Sequence, residues 1–215
     1  METPKIGLPH LTRTIPSAFS SFYLTLVAMI QGVALGLLAA KIPGVLAPFG
    51  AVGFLYALLT FTVIVVVWHE YVLAAQEFWW KLTLWDSVVP FLLGMGQFLM
   101  IEYLGKENYV AWFFAASFSA FTGFFAYINY DRWLRLSDFD DPSAFTLFKS
   151  EVSRGRRLLL VLAIVDLLFG ATSYWSSSRH TIFLLGLAHG AFLIAMVYRR
   201  LAWLRKALTL YGWAR

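Results

Sequence analysis

RLLLVLAIVDLLFGATSYWSSSRHTIFLLGLAHGAFLIAMVYRRLAW, residues 157–203, holds two long apolar runs joined by a short polar turn, and each run carries one ionisable residue near its middle, Asp166 and His189. A helix crossing ~30 Å of hydrocarbon needs ~20 mostly apolar residues, and both runs meet that length. A charged side chain at the centre of a bilayer costs on the order of 3 kcal/mol, so its presence requires a partner or a purpose. The turn around Ser176 to His180 makes the two helices antiparallel neighbours. Asp166 enters its run from one side and His189 from the other, about ten residues deep in each case at 1.5 Å per residue, so their depths match. A hydrogen bond or ion pair between them is expected. Two readings stay open: an interhelical bond worth about 1 kcal/mol, or a site linked to the movement of protons or ions.

The rest of the chain conforms to this reading. Of its 215 residues 60% are hydrophobic and 13% charged, which makes the bilayer the expected solvent. Six stretches are long and apolar enough to cross, at roughly 20–40, 52–75, 84–104, 109–129, 157–176 and 180–203. No alternation of period two is present and every run far exceeds a strand's length, which excludes an outer-membrane barrel. The expected fold is therefore all-α: a polytopic integral membrane protein, residues 1–215 forming one bundle of six transmembrane helices. The first span is expected to be a retained anchor, since polar and Pro-containing sequence precedes it and it is too long for a signal-peptide core. The chain has no cysteine, which removes disulfides, thiolate metal sites and thiol catalysis together.

Basic residues collect in short cytoplasmic loops. Six crossings with the N-terminus inside leave only Lys41, Lys106 and Arg179, of 17 Lys and Arg, on the outer face. Both termini are thus expected in the cytoplasm, with the inner membrane of a bacterium as the location. The net charge of +5 is accounted for by this bias and by contacts to anionic lipid heads, with no nucleic-acid partner implied. Residues 131–157 form the one connection long enough to hold structure, a cytoplasmic loop. Within it Asp141 and Pro142 read as an N-cap and first helical position, and Phe145, Phe148 and Val152 recur at spacings of three and four. A short amphipathic helix lying on the membrane is expected there. Asp138, Asp140 and Asp141 read as solvated cap and turn residues.

Small residues carry more information, because lipid provides no hydrophobic reason for helices to associate and close approach depends on Gly, Ala, Ser and Thr. In the first span Ser17, Ser21, Thr25, Ala28, Gly32, Gly36 and Ala39 form one continuous helical face. Such a face either packs against another helix or lines a narrow pore; Gln31 lies near it. The fourth span repeats the theme with Ala111, Ala115, Ser119, Thr122, Ala126 and Asn129. In the third, Asp86, Pro90, Gly94 and Gln97 share a face. Trp68, His69 and Glu70, at the end of the second span, fall in the same layer as Asp86, so a polar network of Trp68, His69, Glu70, Asp86 and Gln97 is expected on the cytoplasmic side. Its alternative is a set of interfacial residues reaching to water.

His69 and His189 lie at depths that differ by roughly 10 Å, too far apart to hold one haem between them. Neither Gly-x-Ser-x-Gly nor His-Glu-x-x-His is present, and no three His or carboxylates converge. No cofactor, metal or enzymatic activity is expected.

Three stretches, Ala18-Phe19-Ser20-Ser21, Phe61 to Trp68-His69, and Asp86 to Pro90-Phe91, resemble the six-helix prokaryotic relatives of the endolysosomal potassium channel. Those open with Arg, three residues and Phe-Ser-Asp, whereas here Arg13 precedes Phe19 by six and Ser21 stands in place of the Asp. The resemblance implies a homotetramer whose pore is lined by the first span. The leading expectation is accordingly a small oligomeric cation channel, either potassium-selective or a depolarising effector, with Ser21, Thr25, Ala28, Gln31, Gly32 and Gly36 as pore candidates. A non-conducting accessory subunit docking a cytoplasmic protein, and a proton-coupled small-solute transporter using Asp166 and His189, are the alternatives. The last of these requires a cavity at mid-membrane depth.

Overall fold

The computed structural model describes residues 8–77, 84–104, 106, 108–136, 142–176 and 178–210. They form helices throughout: α1 (Leu8–Glu77), α2 (Leu84–Tyr103), α3 (Tyr109–Leu136), α4 (Pro142–Trp175) and α5 (Arg179–Leu210). Helix α1 is two helices joined at Gly50, whose φ of 53° and ψ of −128° are closed to most L side chains but open to glycine. The chain reverses there. Tyr23 and Tyr71, 48 positions apart in sequence, consequently meet edge to face with ring centroids 5.7 Å apart. The two arms of α1 therefore pass through the bundle separately.

Five segments are long and apolar enough to cross a membrane: Tyr23–Ala47 and Gly50–Ala74 in the two arms, Tyr109–Arg132, Phe145–Trp175 and Arg179–Lys206. Val88–Tyr103, in the expected third span, is a shorter apolar helix. The outer surface confirms the solvent, since Phe54, Phe91, Leu168, Leu184 and Ile194 each stand more than half exposed on it. A water-soluble protein does not present large apolar side chains over its whole surface in this way. The chain is a helical membrane protein.

Helices α3 and α4 are the most intimately packed pair. Ser117 Oγ donates to the Ala163 carbonyl at 2.8 Å, and a side chain at Gly155 would collide with the ring of Tyr127. Gly96 on α2 admits Ser119 of α3 just as closely. These are the close approaches that small residues make possible where lipid provides no driving force. Around them lies a core of Trp112, Phe113, Tyr56, Met100 and Ile64.

Two expectations need correction. The described residues of the 131–157 segment belong to two long helices and not to a separate short surface helix. Helix α3 continues to Leu136, and α4 begins at Pro142 and runs without interruption to Trp175. At 1.5 Å per residue its 34 residues span about 51 Å, more than the ~30 Å of hydrocarbon, so the polar first turns and the apolar span are one rod. The stripe of Phe145, Phe148 and Val152 packs inward on Tyr127, Tyr130 and Leu134, where the expectation had it facing the membrane. The second correction concerns Gln31: its side chain is buried, in line with Tyr23, Val27, Ala34 and Leu38, and not on the small-residue face. Asp138, Asp140 and Asp141 lie outside the described residues.

Candidate functional site

The α4–α5 hairpin turns at Ser176, whose hydroxyl donates to Thr181 Oγ1 at 3.1 Å, and it sets the two helices antiparallel. Equal depth on facing helices brings Asp166 and His189 together, with Nδ1 of the imidazole 2.7 Å from Oδ1 of the carboxylate. Both side chains are buried. Trp112 packs its ring edge to face on His189, centroids 5.4 Å apart. That indole is fixed in turn: its Nε1 donates to Thr60 Oγ1 at 3.0 Å, and the threonine hydroxyl donates to the Tyr56 carbonyl at 2.8 Å. The Tyr56 hydroxyl donates to the Ile182 carbonyl at 2.9 Å, which ties the second arm of α1 to α5. The pair is therefore held by four elements and has little freedom to reorient.

Two atoms of the pair are unsatisfied: Oδ2 of Asp166 and Nε2 of His189 have no hydrogen-bond partner among the described residues. Buried polar atoms in this state are uncommon and call for an explanation. With Asp166 ionised, Nδ1–H donates to it and Nε2 keeps a lone pair; protonation of the imidazole makes Nε2 a donor instead. The two states differ by one proton presented at one position. His189 also lines a cavity of about 200 Å³ walled by all five helices, from Val63 on α1 to Leu201 on α5.

At its other end the cavity meets an ionic network. Arg200 Nε donates to Glu70 Oε1 at 3.2 Å, and the Tyr127 hydroxyl donates to Glu70 Oε2 at 2.9 Å. Arg199 Nη1 donates to Glu151 Oε2 at 2.6 Å, with Arg200 Nη1 3.8 Å from the other Glu151 oxygen. The Arg200 guanidinium also lies over the Trp203 ring, 4.4 Å from its centroid. Two arginines face two glutamates, so the burial of each charge is offset by a partner.

Of the expected cytoplasmic-side network, Glu70 enters this cluster and His69 lines the cavity beside it. Trp68 is exposed on the outside. Gln97 is fully buried, with neither amide atom partnered among the described residues, and does not line the cavity. The side chain of Asp86 lies outside the described residues. Of the pore candidates, Thr25, Ala28, Gly32 and Gly36 lie exposed on the first arm, Gln31 turns inward, and the side chain of Ser21 lies outside the described residues. Tyr127, Glu151 and the pairing of Arg200 are additions that sequence reasoning missed. Their one signal was position: Glu151 and Arg200 stand next to long apolar runs, where a charge must find either water or a partner.

No group of three or more His, Asp or Glu side chains suited to a metal ion occurs among the described residues. Set against known protein families, curated proteins and solved structures, the chain matches none.

Proposed function

We propose that this membrane protein moves a small solute in a proton-linked manner, with Asp166 and His189 as the proton-carrying pair and both termini on the cytoplasmic side. The observation that carries the reading is the unsatisfied Nε2 of a fully buried histidine on the wall of a cavity, its Nδ1 already committed to a carboxylate. Ionisable groups at such a depth mark proton and ion pathways. His189 Nε2 gains or loses the proton at the cavity; Asp166 holds the ring and balances its charge; Trp112 and Thr60 keep it in place. Further along, Glu70 and Arg200 supply charged groups at the cavity's end. Among the described residues Tyr56 is a further titratable group close to Asp166, with the Tyr109 ring packed against it.

The test is proton movement into liposomes containing a trapped pH dye, under an imposed potassium diffusion potential. Wild-type protein is expected to acidify or alkalinise the lumen according to the sign of the potential. Asp166→Asn is expected to abolish that flux while eluting at the wild-type mass. Undiminished flux from a folded Asp166→Asn protein would refute the assignment.

A second reading, the oligomeric cation channel, is favoured by a different observation: a side chain added at Gly32 or Gly36 would meet nothing within 4 Å. The face at Gly32 and Gly36 is open to a second copy, as the resemblance to the endolysosomal potassium channel relatives implies. Potassium flux that disappears in Gly32→Leu but survives Asp166→Asn would favour this reading over the first.

A further inference from the structure

Helix α5 is tied to the rest of the bundle at two levels. Toward its start the Ile182 carbonyl accepts from Tyr56, and His189 meets Asp166. Further along, Arg199 and Arg200 meet Glu151 and Glu70. His189 and Arg199 are ten residues apart, about 15 Å at 1.5 Å per residue. Over that interval α5 turns Leu193, Met196 and Val197 to the cavity, and Val63, Ala120 and Leu162 are among the walls that face them. The helix is held at both ends of the cavity and has hydrocarbon opposite it in between.

Water and lipid are the two fluids at hand, and the walls decide between them. A water molecule in a buried space needs about two to four polar partners. The charged groups at the cavity's end are engaged with one another, Arg199 with Glu151, and Arg200 and the Tyr127 hydroxyl with Glu70. The apolar stretch beyond them offers water nothing. Apolar cavities of this kind stay dry and take up apolar molecules; roughly 150 Å³ accommodates benzene, and the space here is about 200 Å³. Left vacant, it would deprive the side chains around it of dispersion contacts on one side.

The mouth points the same way. Val65 and Leu201 line the cavity and are also exposed on the outer surface. Both lie inside segments long and apolar enough to cross a membrane, Gly50–Ala74 and Arg179–Lys206. The cavity therefore opens sideways, between the second arm of α1 and α5, onto the hydrocarbon of the bilayer.

We infer that an acyl chain of a bilayer lipid occupies this cavity, entering between the second arm of α1 and α5 from the leaflet on the Arg200 side, with its end directed toward His189. The lipid head stays outside with its neighbours, because the charges at the cavity's end are already balanced. What is selected is an uncharged hydrocarbon chain. A chain that is already in lipid gains nothing by leaving water, so it is held by filling a void and by the contacts that follow. The site stands independently of the proton-linked reading.

Trp112 is the reporter, being fully buried with its ring packed on His189, where lipid on the outer surface does not touch it. The full chain is placed in nanodiscs of phosphatidylcholine brominated at mid-chain and, in parallel, in unbrominated discs. Subtracting the emission of Trp112→Phe isolates the Trp112 signal from exposed indoles such as Trp68 and Trp175. That signal is expected to lose most of its intensity in the brominated discs. Val63→Leu and Ala120→Leu fill the cavity from different walls, each with its own Trp112→Phe control. Either one, at the wild-type elution mass and melting temperature, is expected to restore the signal. A Trp112 signal as bright in brominated as in plain discs overturns the inference, as does equal quenching in a folded, filled variant. Quenching by acrylamide from the water, without quenching by brominated chains, gives the cavity to water and overturns it as well.

Discussion

Two stripes of small residues run along this molecule, and they have opposite fates. On α3, Ala115, Ser119, Thr122 and Ala126 are all buried, with Gly96 of α2 admitting Ser119 at a distance no larger residue would allow. On the first arm of α1, Thr25, Ala28, Gly32, Gly36 and Ala39 are all exposed, and the positions above Gly32 and Gly36 are open space. The same pattern of residue types thus closes an interface in one helix and leaves a bare face in another. Small residues permit close approach in lipid but do not specify a partner. For α3 the partners are α2 and α4, adjacent in the chain. The first arm turns Tyr23, Val27, Gln31, Ala34 and Leu38 inward, and leaves Gly32 and Gly36 on the exposed side beside Met29, Val33 and Leu37. A stripe directed that way is usable by a second copy or by lipid.

The contrast can be attacked most strongly where packing is tightest. Gly155→Leu drives a branched side chain into the Tyr127 ring and is expected to cost about 3 kcal/mol, at the upper end of overpacking effects. A thermal melt in detergent, or loss of the monodisperse elution peak, reads it. Glu151→Gln should have a smaller effect of about 2 kcal/mol, because Arg199 and Arg200 lose charge compensation while the hydrogen-bonding shape is kept; the same melt, repeated for Arg199→Gln in the Glu151→Gln background, should show strong non-additivity. Gly32→Leu comes last, with an expected change within about 0.5 kcal/mol of zero. Its effect should fall on assembly, read as a change in oligomer mass by light scattering. If Gly32→Leu melted as early as Gly155→Leu, the two stripes would not differ and the bare face would be a packing surface after all.

The Asp166–His189 pair was legible because an ionisable residue in an apolar run is conspicuous and a short turn fixes which helices face each other. The ionic network at the cavity's end was legible only by halves. Glu70 was expected in a polar layer, but Arg200 is 130 positions away and stood among many basic residues counted for orientation. Near a helix end a charge can reach water as easily as a partner, so neither residue announces its pairing. Gln31 misled because proximity in sequence to a small face is not membership of it; at 100° per residue it lies around the helix from Gly32. Residues 131–157 misled for another reason. Their polar composition reads as a loop, yet no helix breaker separates Val152 from Leu158, and Gly155, which weakens a helix in isolation, is held by its contact with Tyr127.

Sequence by itself determined the solvent, the helical class, five of the six expected crossing segments and the facing positions of Asp166 and His189 across one turn, because the apolar content of each run and the shortness of the turn are local properties. Tertiary structure decided which faces are covered, which charges are paired and that a cavity joins His189 to the Arg199 end. Those depend on the rotation of each helix about its own axis, and that rotation is set by contacts between residues distant in the chain.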